Sequence, residues 1–240
     1  MNVQAANQTT ARPEPLPFKH FWEQRGEWVE APNVRRGGES GVQRFVTCDG
    51  QTLYSKRQTG HLYRSWLHPL GRPTVLRERD ALEGLRRLDV GVPEVVFCGA
   101  ERDERNQWRA LLVTAALEGF EELDHWCAAG GRERHGELLW EEMLKQIAFT
   151  LARMHLGRWQ HSCLYSKHIF VQVEGQGADA QVRIALLDLE KGRRRWTAQG
   201  AARHDMKQLK RHSSFIDADW KKLVYFYEAA FGSAIKGLES

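Results

Sequence analysis

Apolar positions change their period along the chain. Before about residue 115 they mark short, strand-like runs, and beyond about residue 137 they recur at helical spacing. The clearest helix covers residues 137–155. Leu139, Met143, Ile147 and Leu151 follow at spacing four, and Trp140, Leu144, Ala148 and Ala152 form the adjoining row. Together they make a wide apolar stripe, with Glu141 and Lys145 placed to pair on the outer face. Pro73 opens a second helix that runs to about Leu88. On it Glu78, Leu82 and Leu85 share one face, so a carboxylate lies on the apolar stripe. Residues 207–240 supply one or two further helices, with Trp220, Leu223, Tyr227 and Phe231 buried.

Residues 34–56 read as two strands joined at Asp49-Gly50, a favoured hairpin turn. The first begins after Arg36-Gly37-Gly38-Glu39-Ser40-Gly41, and the second, 52–56, ends on Lys56. Residues 93–98 and 108–114 form another antiparallel pair. A third hairpin joins 169–173 to 182–187 through the Gly-bearing turn 174–181, which draws His168 and Asp188 together. Residues 1–17, with Pro13, Pro15 and Pro17 among polar residues, read as a tail. There is no internal repeat. The order predicts an α+β fold of two lobes, a small antiparallel-sheet lobe over 18–115 and a short helical lobe over 116–240.

With 240 residues, 42% of them hydrophobic and nine of them Trp, the chain has enough apolar material for a core. No run approaches the roughly 18 apolar residues of a membrane span. The first residues lack an apolar signal-peptide core, so the expected location is cytoplasmic. Cys48, Cys98, Cys127 and Cys163 are widely spaced, which argues against a zinc site or a disulfide framework. The net charge of +4 is uneven: Lys191-Gly192-Arg193-Arg194-Arg195 is followed by His204, Lys207, Lys210, Arg211 and His212. Such a cluster suits an anionic partner or is simply a solvated basic face.

The 169–187 hairpin frames the candidate chemistry. Protein kinases hold their catalytic loop at one end of such a hairpin and a metal-binding Asp at the other. Phosphoryl transfer needs phosphates cradled and their charge neutralised. The glycine-rich turn Gly37-Gly38-Glu39-Ser40-Gly41 offers backbone N–H groups, though many hairpins contain glycine. Lys56 is a candidate phosphate contact or an exposed strand-end lysine, and the inward Glu78 needs a cationic partner that Lys56 can supply. Asp188 is placed to hold a hard metal ion or to begin a turn. Glu190 is open between an oxygen ligand and a solvent-facing residue. His161 reads as a structural hydrogen-bonding residue. His168 is either a metal ligand or structural, and Asp205 either supports the catalytic-loop backbone or complements a helix N-terminus.

The order Gly37-Gly38, Lys56, Glu78, His155, His161, Tyr165, His168, Asp188-Leu189 and Asp205 resembles the Kdo/WaaP family of lipopolysaccharide core kinases. Trp159-Gln160-His161-Ser162-Cys163-Leu164-Tyr165 and Asp188-Leu189-Glu190-Lys191 resemble its InaA-type branch in particular. The likeness covers about residues 34–212. It implies a protein-kinase-like fold using ATP and Mg²⁺. It further implies phosphorylation of a sugar hydroxyl on an acidic glycan or lipopolysaccharide precursor, at the cytoplasmic face of the inner membrane. On this alignment Gly37, Gly38, Ser40, Gly41, Lys56 and His168 bind the nucleotide, Asp188 and His168 hold the metal, and Lys56, Glu78, Cys163 and Asp188 form the catalytic set.

One departure divides the expectation. Sugar-kinase members read His-Arg-Asp where this chain has His161-Ser162-Cys163, so Cys163 stands in the place of the catalytic Asp. A thiol is a poor substitute for a carboxylate that orients a hydroxyl. The sequence therefore leaves a kinase as the first reading and a pseudokinase, binding a nucleotide or partner without transfer, as the second. A nucleic-acid-binding or membrane-surface module ranks last, because it gives Lys56, Glu78 and Asp188 no reason to occur in this order.

Overall fold

Edge-to-edge pairing of the first half builds one antiparallel sheet. The computed structural model describes residues 17–35, 38–175 and 177–238. A short helix α1 (Phe18–Glu23) precedes β1 (Glu27–Arg35), β2 (Gly38–Val46) and β3 (Thr52–Thr59). A separate hairpin, β4 (Leu62–Ser65) and β5 (His68–Pro73), leads into α2 (Thr74–Arg86), followed by β6 (Val95–Arg102) and β7 (Trp108–Ala115). The sheet order is β1-β2-β3-β7-β6, which puts β3 at its centre, with Lys56 opposite Val42 on one side and Leu112 on the other.

Two expectations about this sheet are corrected. Lys56 does not end its strand; β3 continues to Thr59 because Gln58 is also held. The Gln58 carboxamide oxygen accepts from Thr74 Oγ1 at 2.8 Å and from the Val75 N–H at 3.3 Å, tying the strand to the start of α2. Strand β2 begins at Gly38 rather than after Gly41, so Ser40 and Gly41 lie in the ladder opposite Gln58 and Arg57. Both glycines serve close packing. A Cβ on Gly38 would stand 2.5 Å from the Gly60 carbonyl carbon, and one on Gly41 would stand 2.7 Å from the Trp28 ring. Gly37 and residues 1–16 of the expected tail lie outside the described residues.

The second half is mainly helical. Strand β8 (Glu121–Glu122) and α3 (Leu123–Ala128) lead to α4 (Gly131–Leu156), which is broken at Gly136, where φ is 79°. Beyond that break lies the predicted helix, with both of its apolar rows buried. The predicted Glu141–Lys145 pair does not form. Lys145 reaches Glu142 at 3.2 Å, and Glu141 is taken by Lys222 from the last helix, which packs across α4. Strand β9 (Trp159–Gln160) precedes the hairpin of β10 (Ile169–Glu174) and β11 (Gln181–Leu186), which pair from Ile169↔Leu186 to Glu174↔Gln181.

After β11 come a 3-10 turn (Leu189–Lys191), β12 (Arg193–Arg194), α5 (Ala198–Arg211) and α6 (Asp217–Phe231). Helix α5 starts well before Lys207, because the Thr197 hydroxyl caps it by accepting from the Gly200 N–H at 3.1 Å. Asp205 is therefore a mid-helix residue, not a dipole-complementing one at the N-terminus. Trp220, Leu223, Tyr227 and Phe231 are all buried. One continuous apolar cluster runs from Val75, Leu82 and Leu85 of α2 through Met143, Ile147 and Leu151 of α4 to β10, β11, α5 and α6.

Helix α2 passes so close to β9 that Gly84 lies against the Trp159 indole, where a Cβ would overlap the ring. In an open helix Gly84→Ala gains up to about 1 kcal/mol of propensity. Here overpacking, costing roughly 1–3 kcal/mol, outweighs that gain. Urea unfolding should find Gly84→Ala less stable than the wild type; a stabilised variant would contradict this packing.

Candidate active site

The site grows from the one lysine on the central strand. Lys56 Nζ lies 2.8 Å from Glu78 Oε2 and 2.7 Å from Glu190 Oε2, with its side chain only 16% exposed. Glu78 is 8% exposed because it rides the apolar stripe of α2 toward the sheet. Glu190 comes from the 3-10 turn after β11, and its other oxygen lies 3.4 Å from His61 Nε2. The turn is held from α2 as well, since Arg77 Nε donates to the Glu190 carbonyl oxygen at 2.6 Å. Arg77 in turn stacks over Tyr63 of β4, 4.4 Å from the ring centroid.

Burial works against the Lys56 ammonium, but the carboxylates of Glu78, Glu190 and Asp188 outweigh it and hold the lysine firmly protonated. Burial pushes the Glu78 carboxyl upward despite Lys56. Burial acts the same way on Glu190, yet Lys56 and then His61 prevail and hold its carboxyl below the usual range. Glu190 is thus an anion whose charge the lysine stabilises.

Asp188 lies past the end of β11 in a left-handed conformation, φ 58° and ψ 57°, with its side chain 47% exposed. This backbone is uncommon outside glycine, and Asp is among the residues that tolerate it. It sets Oδ2 3.5 Å from His168 Nε2. His168 Nδ1 lies 2.7 Å from the Cys163 carbonyl oxygen, which can only accept. Nδ1 therefore donates to this oxygen, and Nε2 faces Asp188. His168 is sandwiched between the rings of His161 and Tyr165, at centroid distances of 5.6 and 5.4 Å. His161 is fully buried, and its Nε2–H donates to the Leu187 carbonyl at 2.9 Å. Burial lowers its pKa, which keeps the ring neutral.

The loop carrying Cys163 hangs on Asp205. This buried carboxylate accepts the N–H of His161 at 2.6 Å and of Ser162 at 2.9 Å. His155 Nε2 approaches it at 3.3 Å and His204 Nδ1 at 3.0 Å, while His155 Nδ1 pairs with the Tyr227 hydroxyl at 2.8 Å. Burial alone would raise the Asp205 carboxyl, but the hydrogen bonds from His155 and His204 draw it well below the carboxylate range. The carboxylate, through the Ser162 N–H, also pins Ser162, whose φ is 73°. Cys163 Sγ lies 3.3 Å from Lys191 Nζ. Strand β12 pairs with β9, Arg193 opposite Gln160 and Arg194 opposite Trp159, so the basic run lies alongside this loop.

The structure thus brings Lys56 to Glu78 and Asp188 to His168, and sets Cys163 within hydrogen-bonding reach of the basic turn. Ser40 is engaged within the sheet, its hydroxyl 3.3 Å from Gln58 Nε2. The residues that sequence left open or passed over are Glu190 as the second carboxylate on Lys56, and His61, Arg77 and Lys191 around it. Among the described residues no group of three or more His, Cys, Asp or Glu side chains is gathered to hold a metal. Asp188 fits Mg²⁺, which is commonly held by one or two carboxylates with phosphates and water completing its shell, while His168 beside it offers a nitrogen that this oxygen-preferring ion takes less readily.

This arrangement of a lysine–glutamate pair on strand and helix, a strand-end Asp and a loop anchored from a helix below defines a kinase-like class. The chain belongs to the lipopolysaccharide kinase (Kdo/WaaP) family, whose model matches residues 19–227. It is 42% identical over 213 residues to Protein InaA of Escherichia coli (strain K12), covering 88% of this chain and 95% of that protein. A solved structure of WaaP in complex with acyl carrier protein superposes with a TM-score of 0.65 at 20% identity, covering 89% of this chain and 86% of that one. This likeness establishes the two-lobed, kinase-like fold. Among the described residues no helix is long and apolar enough to cross a membrane.

Removing the Asp205 charge should loosen the loop. Asp205→Asn turns an amide N–H₂ toward groups that are themselves donors, at a cost of about 2–3 kcal/mol. Because the folded carboxyl lies below its unfolded value of about 3.9, its contribution is complete above that pH and is lost as pH falls through the folded value. Denaturant unfolding should therefore show a gap between wild type and Asp205→Asn that is full at neutral pH and narrows below about pH 4. A gap constant with pH would contradict the assignment.

Proposed function

We propose that this protein is an ATP-dependent kinase that phosphorylates a sugar hydroxyl on an acidic glycan or lipopolysaccharide precursor. The observation that carries this reading is the 2.8 Å Lys56–Glu78 pair with the Asp188 charge bearing on the same ammonium. In the proposed roles Lys56 contacts nucleotide phosphates, Glu78 orients Lys56, and Asp188 with His168 holds Mg²⁺. In the same reading the start of β2, with Gly38, Ser40 and Gly41, borders the nucleotide. Bound Mg²⁺ would neutralise phosphate charge during transfer.

The basic run Lys191, Arg193, Arg194 and Arg195 beside β9 supports an anionic acceptor next to the Cys163 loop. Trp66, Leu67 and Leu70, exposed on the β4–β5 hairpin, and Trp196, exposed beside Arg195, support a peripheral contact with the cytoplasmic face of the inner membrane. The division into lobes at 18–115 and 116–240 belongs to the same reading.

One observation favours a second reading, a pseudokinase that binds nucleotide or a partner. Cys163 stands in the place of the catalytic Asp, and its sulfur lies 3.3 Å from Lys191 Nζ. Losing the general base removes roughly 10²–10⁴-fold of rate, whereas positioning and electrostatic stabilisation remain. The kinase reading predicts measurable ATP turnover by the wild type that Asp188→Ala abolishes. Turnover unchanged in Asp188→Ala would remove it. The pseudokinase reading predicts no transfer to any core glycan by the wild type, and transfer created by Cys163→Asp.

A further inference from the structure

Lys56 offers three N–H donors, and two are already directed at carboxylates, Glu78 at 2.8 Å and Glu190 at 2.7 Å. The two acids differ in origin. Glu78 is part of α2 and packs with the apolar core, while Glu190 reaches up from the turn that follows Asp188. Glu190 is also the more exposed, 22% against 10% for the side chains. Its carboxylate spans the space between Lys56 and His61, both in or just after β3. A phosphate oxygen seeking Lys56 meets this carboxylate already in place. The turn that presents it is fixed through its backbone by Arg77, so its side chain can leave the lysine without unfolding the turn.

The charge around the lysine points the same way. One ammonium faces three carboxylates, Glu78, Glu190 and Asp188, while the Arg77 guanidinium holds the Glu190 carbonyl from α2. A polyphosphate entering without a cation brings anionic charge directly against the Glu190 carboxylate that already holds Lys56. One accompanied by a divalent ion brings its own compensation, which Asp188 and Glu190 then attract.

We propose that Glu190 is a specificity-determining residue. It competes with phosphate for Lys56 and so makes the site reject a nucleotide that arrives without a divalent cation. This deepens the nucleotide-binding reading above and rests on it. The role is distinct from that of Glu78, which orients the lysine whichever ligand is present.

The test is calorimetric titration of the full chain with ATP, once in EDTA and once in Mg²⁺, for the wild type, Glu190→Gln, Glu190→Ala and Lys56→Met. Both Glu190 variants should bind metal-free ATP tighter than the wild type by roughly tenfold or more, because a like-charge juxtaposition has been removed. Their ratio of Mg²⁺-bound to metal-free affinity should shrink accordingly. Two outcomes would overturn the inference. If the wild type binds Mg·ATP, Lys56→Met loses that binding, and the Glu190 variants leave metal-free affinity unchanged or weaker, the nucleotide reading stands and the role of Glu190 does not. If neither the wild type nor any variant binds ATP in either condition, both fall together. Two Glu190 variants of different volume keep a packing effect apart from the charge effect.

Discussion

A buried ammonium at the centre of the sheet is the constraint on which the rest of this structure depends. Taking Lys56 out of water costs several kcal/mol, and carboxylates brought to it with good geometry offset that cost. Those carboxylates come from two distant segments. Glu78 arrives on α2, and Glu190 arrives on the turn after β11. Satisfying one charge therefore fixes the central strand, the helix packed on the sheet and the turn of the helical half against one another. Removing either acid leaves the lysine partly uncompensated and is destabilising, while the desolvation cost makes the intact cluster a weak source of net stability.

A second buried charge performs the corresponding service below the cleft. Asp205 holds the backbone of His161 and Ser162 from the middle of α5, and His155 with Tyr227 holds Asp205 from behind. Between these anchors lie the groups that remain available. Asp188 is half exposed, His168 turns its Nε2 toward it, and Cys163 sits on the anchored loop. The rigid parts, Glu78 and Asp205, are carboxylates occupied by the protein, and the available parts are those with spare coordination. That division suits a site that must hold a charged ligand without collapsing when it leaves.

Much of this was legible because it follows short-range periodicity. Glu78 at i, Leu82 at i+4 and Leu85 at i+7 point one way on any helix, so an inward acid and its need for a cation are visible in sequence. The β10–β11 hairpin is equally plain from its two apolar runs. What escaped depends on tertiary contact. Strand β1, with Pro32 inside it and exposed side chains, carries no alternation to mark it and is formed by pairing with β2, where Gly41 leaves room for Trp28. The start of α5 rests on one threonine cap. Lys145 turned to Glu142 because Lys222 from α6 claimed Glu141, a competition between elements that local spacing does not encode. Glu190 was visible as an acid near Asp188, but its partner lies on a strand far away in sequence.

The chain belongs to the Kdo/WaaP family and has its kinase-like fold, and its anchored loop carries the Cys163 thiol beside Lys191. The central claim concerns what precedes transfer, that Lys56 and Asp188 form a nucleotide-phosphate site. Calorimetric titration of the wild-type chain with ATP, with and without Mg²⁺, tests it most directly. The account predicts binding that depends on Mg²⁺. No heat of binding up to millimolar ATP in the presence of Mg²⁺ would contradict it.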